Sequence, residues 1–159
     1  MRSAIPLIVL ATAAVHCAPA QAQRLPYGPP ITLEQAKKVV AAAEMEAVKN
    51  KWNVAIAVLD GGCNLVLLHK LDNTNLGGIK VSEEKARSAC LFRAPTKGAE
   101  DALAKGGIGV RVLKLSGMIP LEGGLVLTTD GKTIGAIGVS GAQSDEDGVI
   151  AKAGADALK

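Results

Sequence analysis

The sequence predicts an α/β protein of the α+β kind, with helices covering an antiparallel sheet. Three observations predict it. Two pairs of β-rich runs are joined by tight-turn residues: Asn53–Asp60 with Leu65–Asp72 across Asp60-Gly61-Gly62-Cys63-Asn64, and Leu125–Thr129 with Thr133–Ser140 across Asp130-Gly131. Segments with helical spacing and caps flank each pair. The runs join as hairpins rather than through long crossovers, which is the antiparallel arrangement. The element order reads α-β-β-α-α-β-β-α, without a long-period repeat or a low-complexity tract.

Each element follows from its residues. Leu25–Pro30 holds three prolines and a glycine and reads as extended, part of a linker over residues 23–31. Thr32-x-x-Gln35 is a capping box, and Leu33, Ala36, Val40, Ala43 and Ala47 form a stripe on a helix ending near Asn50. Asn73–Gly78 is a polar, glycine-ended loop. Ser82 is placed to cap the second helix, with Glu83 and Glu84 in its first turn. Pro95-Thr96 opens a third helix that Gly106-Gly107 stops. Ile108–Ser116 reads as a short strand or an irregular segment, and Met118–Leu121 as a short extra strand. Ser144 caps the last helix, with Asp145, Glu146 and Asp147 at its positive end.

The amino terminus changes the inventory. A short basic start, an apolar run over Ala4–Val15 and an Ala20-Gln21-Ala22 cleavage site are the parts of a secretory signal peptide spanning residues 1–22. The apolar run is shorter than the roughly 20 residues that cross a bilayer, and no other stretch of the mature chain could span one. Cleavage leaves His69 as the single histidine and Cys63 and Cys90 as the two cysteines. In an oxidising compartment the cysteines could pair, or they are two small buried hydrophobes. A net charge of +3 gives no concentrated basic surface for nucleic acid. One Trp, one Tyr and one Phe cannot build a stacking site or an aromatic cage.

Few motifs carry chemistry. Gly138-Val139-Ser140-Gly141-Ala142 approaches the nucleophile elbow but lacks its last glycine, and only His69 could act as base. Ser82-Glu83-Glu84-Lys85 fits S-x-x-K without its partner motifs. Gly135, Gly138 and Gly141, with Gly123-Gly124 upstream, mark close approach by another backbone or by a ligand. His69 shares a strand face with Leu65, Leu67 and Leu71, so it is either a core histidine or an axial ligand to haem iron in an apolar cleft.

Pro120-Leu121-Glu122-Gly123-Gly124, the run Asp130-Gly131-Lys132-Thr133-Ile134-Gly135-Ala136-Ile137-Gly138-Val139-Ser140-Gly141-Ala142, and then Asp147 and Ala151 resemble the GlcG/HbpS family of haem-binding and haem-degrading proteins. Val58-Leu59-Asp60-Gly61-Gly62, His69-Lys70-Leu71-Asp72, Lys85-Ala86-Arg87 and Arg93-Ala94-Pro95-Thr96 are similar to the family too. The resemblance covers nearly all of residues 31–158, within a domain read at residues 32–159. It implies a profilin-like antiparallel five-stranded sheet covered by helices, and homo-oligomers.

The expectation is a periplasmic or secreted haem-binding protein aiding haem sequestration or degradation. Its groove would be lined by the Asp72–Gly78 loop, Gly123, Gly124 and the start of the last helix with Asp147. His69 is the iron ligand of that site and Asp72 a polar orienter. The competing expectation is a binding protein or accessory enzyme for a small organic acid or other metabolite in an oxidative catabolic pathway. It would use Asp72, Asp147 and glycine-loop amides. A third is an oligomer that partners another periplasmic protein.

Overall fold

The capping box forms as its residues require. Thr32 Oγ1 accepts the Gln35 N–H at 3.2 Å, and Gln35 Oε1 accepts the Thr32 N–H at 3.0 Å. They open α1, Leu33–Asn50, in a computed structural model that describes residues 24–159. The leader read at residues 1–22 lies outside them. α1 buries Ala36, Val39, Val40, Ala43 and Ala47. Leu33 stays half-exposed in the first turn, and Val39 takes its expected place in the stripe.

Both hairpins form. β1 (Ala55–Asp60) pairs with β2 (Leu65–Lys70), and β3 (Gly124–Thr129) pairs with β4 (Lys132–Ser140). β1 and β4 pair in turn, giving one antiparallel sheet in the order β2-β1-β4-β3. In the first turn Asp60 Oδ1 accepts the N–H groups of Gly62 at 2.8 Å and Asn64 at 2.9 Å.

The sheet has four strands, not the five that the resemblance implies. Met118–Leu121 is irregular because its backbone finds other partners. The Met118 N–H bonds the Leu115 carbonyl, the Ile119 N–H bonds Ser88 Oγ, and Pro120 has no N–H to offer. The amino-terminal strap comes closer to a fifth strand. Gly28 N–H bonds Thr133 O and Thr133 N–H bonds Pro26 O, each at 2.8 Å, yet Tyr27 makes only one parallel bridge. Its prolines cannot donate to a ladder.

α2 (Leu76–Phe92) covers one face of the sheet, and α1 with α4 (Ser144–Asp156) covers the other. Ile56, Val58, Leu127, Ile137, Val139 and Ile150 fill the α1/α4 side. Each such side chain contributes roughly 1.5–3 kcal/mol by leaving water. The α2 side is lined by small residues, and the helix lies close. A Cβ on Gly138 would stand 2.1 Å from the Ser82 carbonyl oxygen. The glycine repeat is therefore explained by packing at this position.

That packing also moves the start of α2. Asn75, not Ser82, is the N-cap, its Oδ1 accepting the Gly78 N–H at 2.7 Å. Ser82 is buried inside the helix and donates to Ile79 O. Gly77 and Gly78 are poor helix formers, but a Cβ on Gly78 would sit 2.9 Å from Ser140 O, so tertiary contact selects glycine there.

α3 (Lys97–Ala104) leads into a 3₁₀ segment, Gly107–Lys114, where the sequence allowed a strand. The two pack on each other, and Ile108 is left 79% exposed. Cys63 and Cys90 form a disulfide joining the first hairpin to α2. Closing that loop of 27 residues stabilises the fold by about 3–4 kcal/mol in the chain-entropy account. Among the described residues no helix is long and apolar enough to cross a membrane.

Candidate functional site

His69 is the penultimate residue of β2 and pairs with Ile56. Its side chain points to the α1/α4 side, but at the outer rim, where it is 39% exposed. Its apolar strand-mates Leu67 and Leu71 pack against the core, so the strand face is apolar as expected while His69 itself meets water. Nε2 stands 3.4 Å from Glu44 Oε2 of α1. His69 lines a cavity of about 410 Å³ with Glu44, Val48, Leu71, Asp72 and Asn73.

The loop that supplies Asp72 is pinned from below. Thr74 is buried and its hydroxyl donates toward the carbonyls of Leu71 at 2.7 Å and Val54 at 3.0 Å. Asn73 beside it takes a left-handed φ of 60°. Asn53 and Asn73 also line a second, adjoining recess of about 360 Å³ that reaches Gln143 and Glu146 at the start of α4. The two recesses have Asn53 and Asn73 in common, the first holding His69 and Asp72 and the second the amino end of the last helix.

Gly123 and Gly124 lie elsewhere. They sit at the start of β3, the opposite edge strand, three strand spacings or roughly 14 Å from β2. There they line a cavity of about 390 Å³ with Lys97, Glu122, Leu125, Lys152 and Asp156. The single groove expected from the sequence is therefore divided between the two sheet edges. Gly78 reaches neither cavity, because it is packed against Ser140.

Asp147 is buried beneath the glycine pair and bonded to Lys85 of α2, with Nζ to Oδ2 at 2.8 Å. Each side chain is 2% exposed. Oδ1 accepts the Ala142 N–H at 3.1 Å, which fixes the turn at the end of β4. Burial pushes the Asp147 carboxyl above the ordinary range, while Lys85 and the Ala142 and Gly141 amides pull it back. Gly123 closes over the pair: at φ 121°, a Cβ there would lie 2.9 Å from Lys85 Nζ. A Cβ on Gly124 would lie 2.4 Å from the Lys85 carbonyl oxygen. Asp147 is committed to this contact and is not free to hold an organic acid. The sequence reading noted Lys85 only within motifs and gave it no place in the site. The signal was its place among Gly78, Ser82, Ala86 and Ala89, all at helical spacing on the buried face of α2.

Other constellations resolve simply. Directly paired residues share a sheet face, and Ser140 pairs with Ala55, which pairs with Lys70. Ser140 therefore faces away from His69, and the two cannot form a nucleophile–base pair. Glu146 accepts the Gln143 N–H at 2.9 Å, so it belongs to the helix cap, one residue before the expected Ser144 cap. Among the described residues no three His, Cys, Asp or Glu gather as metal ligands.

Comparison with known proteins bears on this arrangement. A family model described as "haem degrading protein HbpS-like" matches residues 31–156. The chain is 39% identical over 110 residues to protein GlcG of Escherichia coli K12, covering 69% of this chain and 81% of GlcG. A crystal structure of a Streptomyces reticuli HbpS double mutant is 28% identical, with a TM-score of 0.75 over 97% of this chain and 99% of that one. A crystallised PduOC–haem complex shares the fold at a TM-score of 0.73 and 20% identity, over 82% of this chain and 96% of that one.

Proposed function

The chain belongs to the GlcG/HbpS family, and from that premise we propose that it is a periplasmic or secreted haem-binding protein with His69 as the iron ligand. The observation that carries the reading is the His69 imidazole, half-exposed in an open cavity between α1 and β2. The donor set fits. Haem iron takes one imidazole nitrogen, and metal-bound histidines commonly give the other ring N–H to a carboxylate. Glu44 stands beside Nε2 in that role. Val48 and Leu71 supply apolar wall, and Asp72 supplies a polar rim. PduOC, whose crystals hold haem, and the haem-degrading name of the family support the ligand class.

Bound haem would bring redox-active iron to this edge of the sheet. The protein's own part would be to hold and orient it: His69 by ligation, Glu44 by fixing the ring, and Val48 and Leu71 by apolar contact. The cavity is open on one side, which suits sequestration and hand-over more than a closed reaction chamber. Secretion is supported by the leader and by the Cys63–Cys90 disulfide, a bond of oxidising compartments. Self-association, and docking to a periplasmic protein partner, belong to the same reading. The exposed Ile108 and Leu113 of the 3₁₀ segment offer an apolar surface for either.

Titration of the purified mature protein with hemin tests the reading. A Soret shift at micromolar hemin is expected, weakened at least about tenfold in His69→Ala, the loss of a bond worth some 1.4 kcal/mol or more. No shift in the unaltered protein rejects haem binding. A shift unchanged in the variant rejects His69 as the ligand.

A further inference from the structure

The 3₁₀ segment Gly107–Lys114 and the residues after it turn a run of apolar side chains to water. Ile108 is 79% exposed, and Val110, Leu113 and Leu115 are each about half-exposed. The cause is local. Gly109 lies hard against α3: a Cβ there would stand 1.8 Å from the Ala102 carbonyl oxygen. Residues three apart eclipse one another in a 3₁₀ helix. Gly109 and Val112 therefore form the row that meets α3, and both line a recess beside Ala102. Val110 and Leu113 form a second row. Ile108, Arg111 and Lys114 form a third, which is basic beyond its first residue.

The patch continues past the segment. A Cβ on Gly117 would lie 2.9 Å from Leu91 Cδ1, so the half-exposed Leu91 of α2 borders it. Lys80 and Arg87 of α2 line the next recess with Met118 and Ile119. The charges are one-sided. Residues 102–121 contain Lys105, Arg111 and Lys114 and no acid. Asp101 and Glu84 line the two recesses, and each already faces a lysine: Asp101 meets Lys97 at 2.9 Å, and Glu84 meets Lys80 at 3.9 Å.

Single exposed apolar side chains are ordinary, but a contiguous group of them marks an interaction surface. The basic row says what covers it. At the boundary of a bilayer an apolar row enters among the acyl chains, while Arg and Lys reach back along their stems to the lipid phosphates. Two copies meeting through this face on a two-fold axis would instead set one basic row close to the other.

We propose that the 3₁₀ segment docks the protein peripherally on an anionic lipid surface, with Ile108, Val110 and Leu113 entering the headgroup boundary and Arg111 and Lys114 on the phosphates. The proposal goes beyond the haem reading and does not use His69, so either can fail alone.

Mature protein would be sedimented at low salt with vesicles of phosphatidylglycerol mixed equally with phosphatidylcholine, and with vesicles of phosphatidylcholine alone. Binding to the anionic vesicles is expected, and it should fall as sodium chloride screens the charges. The salt series uses the unaltered protein, so it stands whatever a variant does to folding. Loss of one basic residue near such a surface weakens partitioning about fivefold, so Arg111→Gln with Lys114→Gln should weaken it roughly twenty-five-fold. Ile108→Ser should weaken it about tenfold. Lys37→Gln with Lys38→Gln removes the same charge from exposed positions on α1, across the sheet, and should change it by less than about threefold. Absence of sedimentation with the anionic vesicles, equal binding to the neutral ones, insensitivity to salt, or equal weakening by the Lys37 and Lys38 changes would overturn the proposal. So would an assembly of the free protein that Ile108→Ser dissociates, since a second copy would then cover the face.

Discussion

Two contacts between a side-chain nitrogen and a carboxylate lie on opposite sides of this molecule's sheet and differ in how they meet water. Lys85 and Asp147 meet at 2.8 Å between α2 and α4, each 2% exposed, with a third element closing over them. His69 and Glu44 meet at 3.4 Å between β2 and α1, each about two-fifths exposed. The first is sealed, so its atoms hold the fold: α2, α4, the Gly123 backbone and the Ala142 turn all converge on it. The second is wetted and loose, so it adds little stability and leaves the imidazole available. Chemical type does not separate the exposed contact from the buried one; solvation does.

The largest test of that contrast is Lys85→Ala. It leaves a buried carboxylate unpaired and should cost about 3–5 kcal/mol in urea denaturation. The double change Lys85→Met with Asp147→Leu should recover most of it, because a well-packed apolar pair carries no desolvation penalty. A loss below about 1 kcal/mol in the single variant would mean that the pair is solvated and resembles the His69 contact after all.

Next in size is Gly123→Ala. The new methyl would crowd Lys85 Nζ and Val139 O on a left-handed backbone. A loss of about 1–3 kcal/mol is expected, read as a lower melting temperature. By contrast, Glu44→Gln should change stability by no more than about 1 kcal/mol, an amount that added salt should erase. A larger, salt-insensitive loss would move His69 from the available class to the structural one.

The smallest effect lies in pH dependence. Burial raises the Asp147 carboxyl, whereas the Asn64 and Gly62 N–H groups hold Asp60 below the ordinary range. Native Asp147 keeps its proton to higher pH than the unfolded chain does. Its contribution is therefore full below the ordinary aspartate pKa and declines as pH rises through the raised value. Asp60 does the reverse: its contribution is full above the ordinary value and is lost as pH falls through the lowered one. Urea midpoints from about pH 2 to 6 should show the wild-type advantage over Asp147→Asn shrinking with rising pH, and that over Asp60→Asn growing to a plateau. Parallel profiles would remove the distinction between the two carboxylates.

Much of the fold was legible because its signals are local. The Thr32/Gln35 box, the Asp60-Gly61 and Asp130-Gly131 turns and the α1 stripe each depend on residues within a few positions of one another, and each formed. The start of α2 was not legible, since Gly77 and Gly78 argue against a helix until β4 is known to lie against it. The missing fifth strand has the same cause: the Met118–Leu121 backbone is satisfied by Ser88 from a distant helix. For the candidate site, the placement of Gly123 and Gly124 at the other edge of the sheet from His69 and Asp72 was not legible, because strand order is a long-range fact.

By itself the sequence determined the two hairpins, the helices that flank them and the aliphatic character of the core, because propensity, patterning and composition act along the chain. Only the tertiary structure decided which glycines serve packing, that Cys63 reaches Cys90, and that one aspartate is buried on a lysine while another lines an open groove. Those outcomes depend on burial and on distances between residues far apart in sequence. They exist only once the strands have taken their order and the helices have closed over both faces.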